Sequence, residues 1–448
     1  MGVPVSKTFV IMSFPRYFFS IQLIIAFILF SGCNSSEDNN KNENRESGTS
    51  SGSNNYVYPS YEGLVMAGYQ GWFAAEGDAS ERGWYHYQKQ GQFQPGQSTI
   101  DFWPDVSDYP KTYKTSFRFS DGTPASVFSS YDEKAVDLHF KWMKDYGIDG
   151  VFLQRFVTEI KSEKGKRHFN KVLSSALRSA RKYGRAVSVM YDLSGCTFED
   201  MDVLVRDWKE LQDQYALFDT NENPTYLRHN GKPLLAIWGA GFNDGRQYGL
   251  DDVNDLIEEL KKLEHQNSFM LGIPYFWRTL GNDTENNPLL HSIIKKCDII
   301  LPWAVGRYDE SSYNQVAGET LSRDLAWCKR NGVDYVPLVF PGFSWGNLQD
   351  DPDTYELIPR NKGDFFWKQI AGAKNAGAES LYVAMFDEVD EGTAIFKCLR
   401  DDELPLNGEG KFVGIDPGLE SDYYLWLTGE AAKWMKTDDN LYTSKPRR

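Results

Sequence analysis

Four carboxylates fall within five residues in the run Asp387-Glu388-Val389-Asp390-Glu391-Gly392-Thr393. Carboxyl groups this close drive one another's proton affinities apart, so one can hold a proton as an acid while another stays charged as a base. Cleavage of a glycosidic bond needs that division of labour. A hydrated acidic turn is the competing reading, but the run follows an apolar stretch ending at Phe386 and is succeeded by Ile395-Phe396, which argues against full exposure. It lacks the spaced ligands of an EF-hand loop, and no close cysteine or histidine cluster suggests zinc, so neither a metal nor an organic cofactor is expected.

Aromatic and polar residues recur at the ends of predicted strands: Gln154-Arg155-Phe156, Tyr191-Asp192, Trp238-Gly239, Tyr275-Phe276-Trp277, Trp303 and Phe343-Ser344-Trp345. A sugar presents C–H bonds on its faces and hydroxyls at its edge, so it asks for flat apolar platforms beside carboxylates, amides or guanidinium groups. Trp72, Trp103, Trp238, Trp303 and Trp345 are the candidate platforms, of which only some are expected to touch ligand. His86, among Trp84, Tyr85 and Tyr87, is the histidine expected in the pocket, whereas His139 lies on the apolar face of a predicted helix and is expected to be packed. Arg155 is a candidate partner for a carboxylate or a sugar hydroxyl, with a structural salt link as the competing reading. Asp192 is a candidate hydroxyl acceptor, with turn capping as its competitor. Asp387 and Asp390 are expected to orient the loop backbone or bind substrate hydroxyls.

These groups need elements that bring them to one place. Short apolar runs predict strands over 64–70, 150–154, 186–191, 233–238, 269–274, 298–303, 335–340 and 380–386. Between and after them, amphipathic patterns predict helices over 132–146, 170–183, 201–211, 253–263, 289–296, 319–330, 363–376 and 423–436, with Gly147 and Gly184 as stops for the first two. Strands that run apolar rather than alternating, each trailed by a helix, predict an α/β fold: a closed parallel (β/α)8 TIM barrel with long barrel-top loops. In such barrels the reactive groups ride on the C-terminal ends of the strands. The long crossover 71–131 is expected to form an elaborate loop over one barrel end, and 408–420 a last excursion there. A doubly wound open sheet is the architectural competitor, but Gly68, Gly71 and Gly77 lack the GxGxxG spacing and no phosphate loop is present.

The segment Glu388-x-x-Glu391-Gly392-Thr393 resembles the catalytic Glu-x-x-Glu-Gly-Thr segment of the glycoside hydrolases of families 71 and 99, nearest to the family 99 endo-α-mannosidase and endo-α-mannanase group. Gly68-Tyr69-Gln70-Gly71-Trp72-Phe73, Gly83-Trp84-Tyr85-His86-Tyr87, Trp103-Pro104-Asp105 with Asp108-Tyr109, and Tyr146-Gly147-Ile148-Asp149-Gly150-Val151 are similar in pattern. The resemblance spans most of 61–436. It implies that Glu388 is a general base and Glu391 a general acid/base in a retaining reaction. In that reaction the sugar's own 2-hydroxyl attacks the anomeric carbon through an epoxide-like intermediate. The residues alone leave a covalent glycosyl-enzyme and inversion open as well. Two departures bear on specificity: the first strand ends in Tyr-Gln-Gly-Trp-Phe rather than a Tyr-Tyr-Pro-Trp-Tyr type of run, and Val389 stands where a bulky aromatic is typical. The expected function is therefore hydrolysis of a polysaccharide or glycan by a Glu/Glu pair. A non-catalytic surface glycan-binding lipoprotein on the same scaffold is the alternative, and an envelope interaction module a third reading.

The chain's 448 residues, with 63 acidic against 48 basic, carry a formal charge of -15, which repels nucleic acid. The apolar stretch 18–30 after Arg16, broken at Ser31-Gly32-Cys33, is about 20 Å long as a helix and too short to span a bilayer. Residues 1–32 are read as a lipoprotein signal peptide, Cys33 as the lipidated residue, 33–55 as a disordered tether, and 56–448 as one catalytic-type domain. Glu37 and Asp38 resemble the export tag of Gram-negative surface lipoproteins. The expected place is the cell envelope, on the outer membrane through a lipid anchor only, beside neighbouring glycan-uptake proteins. The remaining cysteines, Cys196, Cys297, Cys328 and Cys398, are too sparse for a disulfide framework.

Overall fold

The computed structural model describes residues 56–408, 410–437 and 443–448. Cys33, the signal segment and the tether lie outside the described residues. Eight strands alternate with eight main helices: β1 (Val65–Tyr69), α1 (Glu133–Tyr146), β2 (Gly150–Phe156), α2 (Glu163–Tyr183), β3 (Ala186–Asp192), α3 (Met201–Tyr215), β4 (Lys232–Trp238), α4 (Leu250–Lys261), β5 (Ser268–Pro274), α5 (Leu289–Ile294), β6 (Ile299–Trp303), α6 (Gly318–Asn331), β7 (Asp334–Tyr335 and Leu338–Val339), α7 (Asp364–Asn375), β8 (Leu381–Val383) and α8 (Tyr423–Met435). Every neighbouring pair from β1 to β6 is parallel, and β1 also pairs with β8. β7 completes the ring: Tyr335 aligns with Ile300 of β6, and Leu338 with Tyr382 of β8. The interruption in β7 falls at Val336-Pro337, where proline has no N–H to give to a ladder. The fold is a (β/α)8 barrel.

Strand side chains alternate between two cores. Met66, Phe152, Met190, Ala236, Met270, Leu301, Leu338 and Tyr382 pack together inside the barrel. Val65, Val151, Val189, Leu235, Leu271, Ile300 and Val339 pack against the helices. Gly68 belongs to the inward set, where a Cβ would come within 2.2 Å of the Tyr382 hydroxyl and Met385 Cε, so the absence of a side chain admits both.

Among the elements whose bounds differ from expectation, two have a cause visible in the structure. α2 begins at Glu163 rather than near 170, because the Ser162 side chain caps it by accepting from Gly165 N at 3.0 Å. The glycine and charged residues of that first turn mask the periodicity. β8 ends at Val383, not 386, because the chain there begins to bond to its own return: Ile395 N donates to Met385 O (3.0 Å), and Phe396 N to Phe386 O (3.0 Å). The stretch 387–394 is thus a loop closed at its base. The crossover 71–131 contains a hairpin, Tyr113–Arg118 with Pro124–Val127, and packs on the last excursion through bridges such as Phe102 to Val413.

Candidate active site

The loop after β8 is held by backbone contacts on several sides. Val389 O accepts from Asp101 N and Phe102 N (3.0 and 3.1 Å), and Glu391 O from Ser344 N (3.0 Å). Asp101, fully buried, ties the same pieces together, its carboxylate accepting from the Ser344 hydroxyl (2.5 Å), Gly346 N and Asn347 N (both 2.8 Å). Gly392 has φ +63°, and a Cβ there would lie 2.9–3.0 Å from Ser344 atoms, so both conformation and space require glycine. Asp387 accepts from Gln70 N (2.7 Å) and Gly71 N (2.9 Å), fastening the loop to the end of β1. Burial pushes this carboxyl up to about 7 even against those two donors. Its function here is to orient backbone, one of the two roles expected of it.

The two glutamates are unlike. Glu388 is buried and accepts from Gln70 Nε2 (2.5 Å) and the Thr393 hydroxyl (2.8 Å). Glu391 is only partly buried, and among the described residues none donates a hydrogen bond to its carboxylate. Burial, then the charges of Glu391 and Asp390, push Glu388 up; burial, then Asp390 and Asp192, push Glu391 up. Carboxylates so placed cannot all ionise together at neutral pH. The donors on Glu388 work against that rise, whereas Glu391 has no donor to oppose its own. Asp390 is raised chiefly by burial. Its Oδ2 lies 3.2 Å from His86 Nδ1, while its Oδ1 has no protein partner.

Strand parity decides which other residues face the carboxylates. Gln154, Asp192, Trp238 and Trp303 share the inward register of Phe152, Met190, Ala236 and Leu301. Asp192 is raised by burial, accepts from Ser194 N (2.7 Å), and is, after Asp390, the like charge that raises Glu391. Trp238 and Trp303 meet edge to face at 5.3 Å, and Trp303 reaches Tyr382 at 6.4 Å. Trp345 packs edge to face on Phe343, next to the Ser344 that holds Glu391 O.

Three expected contacts are corrected by the packing. Trp103 is a core residue, 1% exposed, packed on Phe93, Phe117 and Phe412 with its Nε1 donating to Ser126 O (3.0 Å), so it offers no platform. Arg155 has the outward parity and makes a two-pronged salt link with Asp207 of α3 (2.5 and 2.6 Å), the structural role. Trp72 reaches the site, but one face stacks on His86 (3.6 Å, 6°) and another neighbour, Phe156, stacks at 4.9 Å, so its indole edge rather than its face is available. His86 thus sits among the expected aromatics, and burial favours its neutral imidazole. His139 is packed as expected, its two ring nitrogens engaged by the Tyr69 and Tyr109 hydroxyls.

Gln70, Gln154 and Thr393 stood in the sequence reading only within motifs, without a role of their own, and Tyr382 was not singled out. The inward parity of Gln70 and Gln154 was the available signal. Arg246 was missed as well: it bonds Asp244 and the Tyr248 hydroxyl and covers Trp238 at 5.0 Å. Around the two glutamates, Gln70 Oε1, Gln154 Oε1, Asp390 Oδ1 and the indole N–H groups of Trp72, Trp238 and Trp345 are buried without a protein partner. Donors and acceptors of this kind suit a ligand rich in hydroxyls. Among the described residues no cluster of His, Cys, Asp or Glu is arranged to hold a metal ion.

No family model matches the sequence, and no curated protein matches it. Solved structures do. The family 99 endo-α-mannosidase from Bacteroides thetaiotaomicron aligns with 84% of this chain and 98% of its own at 15% identity and TM-score 0.59. The same enzyme in complex with Bis-Tris propane aligns over the same shares at 14% identity and TM-score 0.57. The chain therefore shares the barrel fold of those hydrolases at low identity, in line with the divergent family 99 resemblance carried by Glu388-x-x-Glu391-Gly392-Thr393.

Proposed function

We propose that the protein is a glycoside hydrolase in which Glu391 is the acid/base and Glu388 the base. The observation that carries this reading is the asymmetry of the two glutamates on one loop: Glu388 is anchored by Gln70 and Thr393, and Glu391 is unbonded and more open. A proton donor must be free to meet the departing oxygen, whereas a base is better held.

In the first step Glu391 gives its proton to the glycosidic oxygen as the bond from that oxygen to the anomeric carbon breaks. Glu388 takes the proton of the sugar's 2-hydroxyl, whose oxygen closes on the anomeric carbon to give a 1,2-anhydro sugar. In the second step Glu391, now a carboxylate, takes a proton from water; the water oxygen bonds to the anomeric carbon as the bond from O2 to that carbon breaks, and Glu388 returns its proton to O2. One water is consumed, both glutamates are restored, and configuration is retained. Asp192 and Asp390, with the free indole N–H groups, would bind hydroxyls of the sugar in the cleavage site.

The test is turnover of yeast mannan, xylan and other plant or fungal glycans by the wild type, Glu391→Gln and Glu388→Gln. The reading expects release of sugar by the wild type and a loss of at least about 100-fold in either variant. Full activity in Glu391→Gln contradicts the acid assignment. Tight glycan binding without release would support the non-catalytic glycan-binding lipoprotein instead.

A further inference from the structure

Arg360 lies outside every group considered so far. Its side chain is 6% exposed, and its guanidinium is flanked by the rings of Phe102 (4.2 Å) and Tyr424 (4.5 Å). One nitrogen, Nη2, donates to both Gly392 O (2.9 Å) and Ala394 O (2.7 Å), while Nε and Nη1 have no protein partner. A buried cation normally pairs with a carboxylate; here it is spent on two carbonyls of one loop.

Those carbonyls bracket Thr393, whose hydroxyl donates to Glu388 Oε2, and Ala394 N donates to Glu388 O (2.9 Å). On the other side, Gly392 directly follows Glu391. Nη2 therefore grips the loop immediately after Glu391, on either side of the threonine that bonds Glu388. We propose that Arg360 is the positioning residue of the pair, setting the direction of Glu391 and, through Thr393, of Glu388. The assignment rests on the glutamate roles for its kinetic consequence, but its structural consequence stands without them.

Lysine is a poor replacement, because its compact ammonium does not fill the flat space between the two rings. Arg360 lines a cleft of about 120 Å³ together with Phe102, Glu356, Gly392, Asp401 and Asp416. One water needs only about 10–15 Å³, so a small planar cation can enter when the side chain is shortened. Three carboxylates at the mouth favour such a cation electrostatically.

The experiment compares the full-length wild type, Arg360→Lys and Arg360→Ala, the last with and without added guanidinium chloride well below denaturing concentrations. Amide hydrogen exchange over 386–396 is read beside kcat and KM on whichever of yeast mannan or xylan the wild type cleaves. Expected is faster exchange confined to that stretch in both variants and a kcat lower by about 100-fold, the scale of a misplaced catalytic group, with KM little changed. Guanidinium should restore both in Arg360→Ala and neither in Arg360→Lys. Unchanged exchange in a folded Arg360→Ala, or slow turnover that guanidinium does not rescue while Arg360→Lys remains active, overturns the proposal. If the wild type cleaves neither glycan, that result counts against the hydrolase reading on those two substrates alone, and the exchange measurement still decides on Arg360.

Discussion

Replacing Glu391 by glutamine removes a transferable proton while keeping the shape of the side chain, so its effects separate chemistry from packing. The folded protein raises the proton affinity of Glu391 to about 8, mainly through burial and then through Asp390 and Asp192, against about 4.3 in an unfolded chain. Below about pH 4 both states are protonated and the group contributes no difference. As pH rises the unfolded state ionises first, so the wild type loses stability relative to Glu391→Gln until the folded group also ionises near pH 8. A melting-temperature series should therefore show the variant the more stable at pH 8, with the gap closing toward pH 4; a gap constant across that range contradicts the shift. The same protonation governs rate. Activity should fall on the alkaline side as Glu391 loses its proton, and on the acid side as Glu388 gains one, giving a bell in kcat/KM. The two glutamates were legible as a carboxylate pair, but their inequality was not, since Gln70 is remote in sequence from Glu388.

At the scale of the strand, parity does the sorting. On β2, Gln154 shares the inward register and bonds the Tyr382 hydroxyl (3.1 Å), whereas its neighbour Arg155 faces α3 and Asp207. Arg155→Met should cost about 3–5 kcal/mol of stability, because it leaves the Asp207 charge buried, yet leave kcat of the folded fraction nearly intact. Gln154→Ala should do the reverse, lowering kcat with a small change in melting temperature. Denaturant unfolding beside steady-state kinetics reads both, and a kcat loss in Arg155→Met would return that residue to the site. The existence of all eight strands was legible because apolar runs bounded by polar turns mark them, although the end of β8 was not. Which of two adjacent end residues points inward was not, since a strand's register is fixed by its partners. Trp103 illustrates the limit: an aromatic in a long excursion reads alike whether it faces a ligand or Phe412. The excursion's packing against 398–413 is a long-range contact that local sequence does not encode.

For the whole molecule, the barrel gathers loops from both ends of the sequence over one mouth: Asp101 from the first crossover, Ser344 after β7 and Arg360 before α7 all hold the loop after β8. Such a site depends on ring closure, and the repeating strand–helix order was the sequence signal for it. Among the described residues no helix is long and apolar enough to cross a membrane. We infer from the sequence that Cys33 carries lipid and tethers the barrel to the cell envelope. Metabolic labelling with a palmitate analogue should mark the wild type and not Cys33→Ala, which should appear in the soluble fraction; equal labelling, or membrane retention of the variant, contradicts the anchor.

The most direct check on the paired roles of the glutamates uses leaving groups of different need. A glycosyl fluoride departs without protonation, whereas a glycan oxygen does not. For the sugar that the wild type releases, Glu391→Gln should lose glycan cleavage yet still release fluoride from the matching glycosyl fluoride in its first turnover, slowing only at the water step that needs Glu391 as base, while Glu388→Gln should lose both. Equal loss on both substrates in Glu391→Gln, or undiminished glycan cleavage by either variant, would contradict the account.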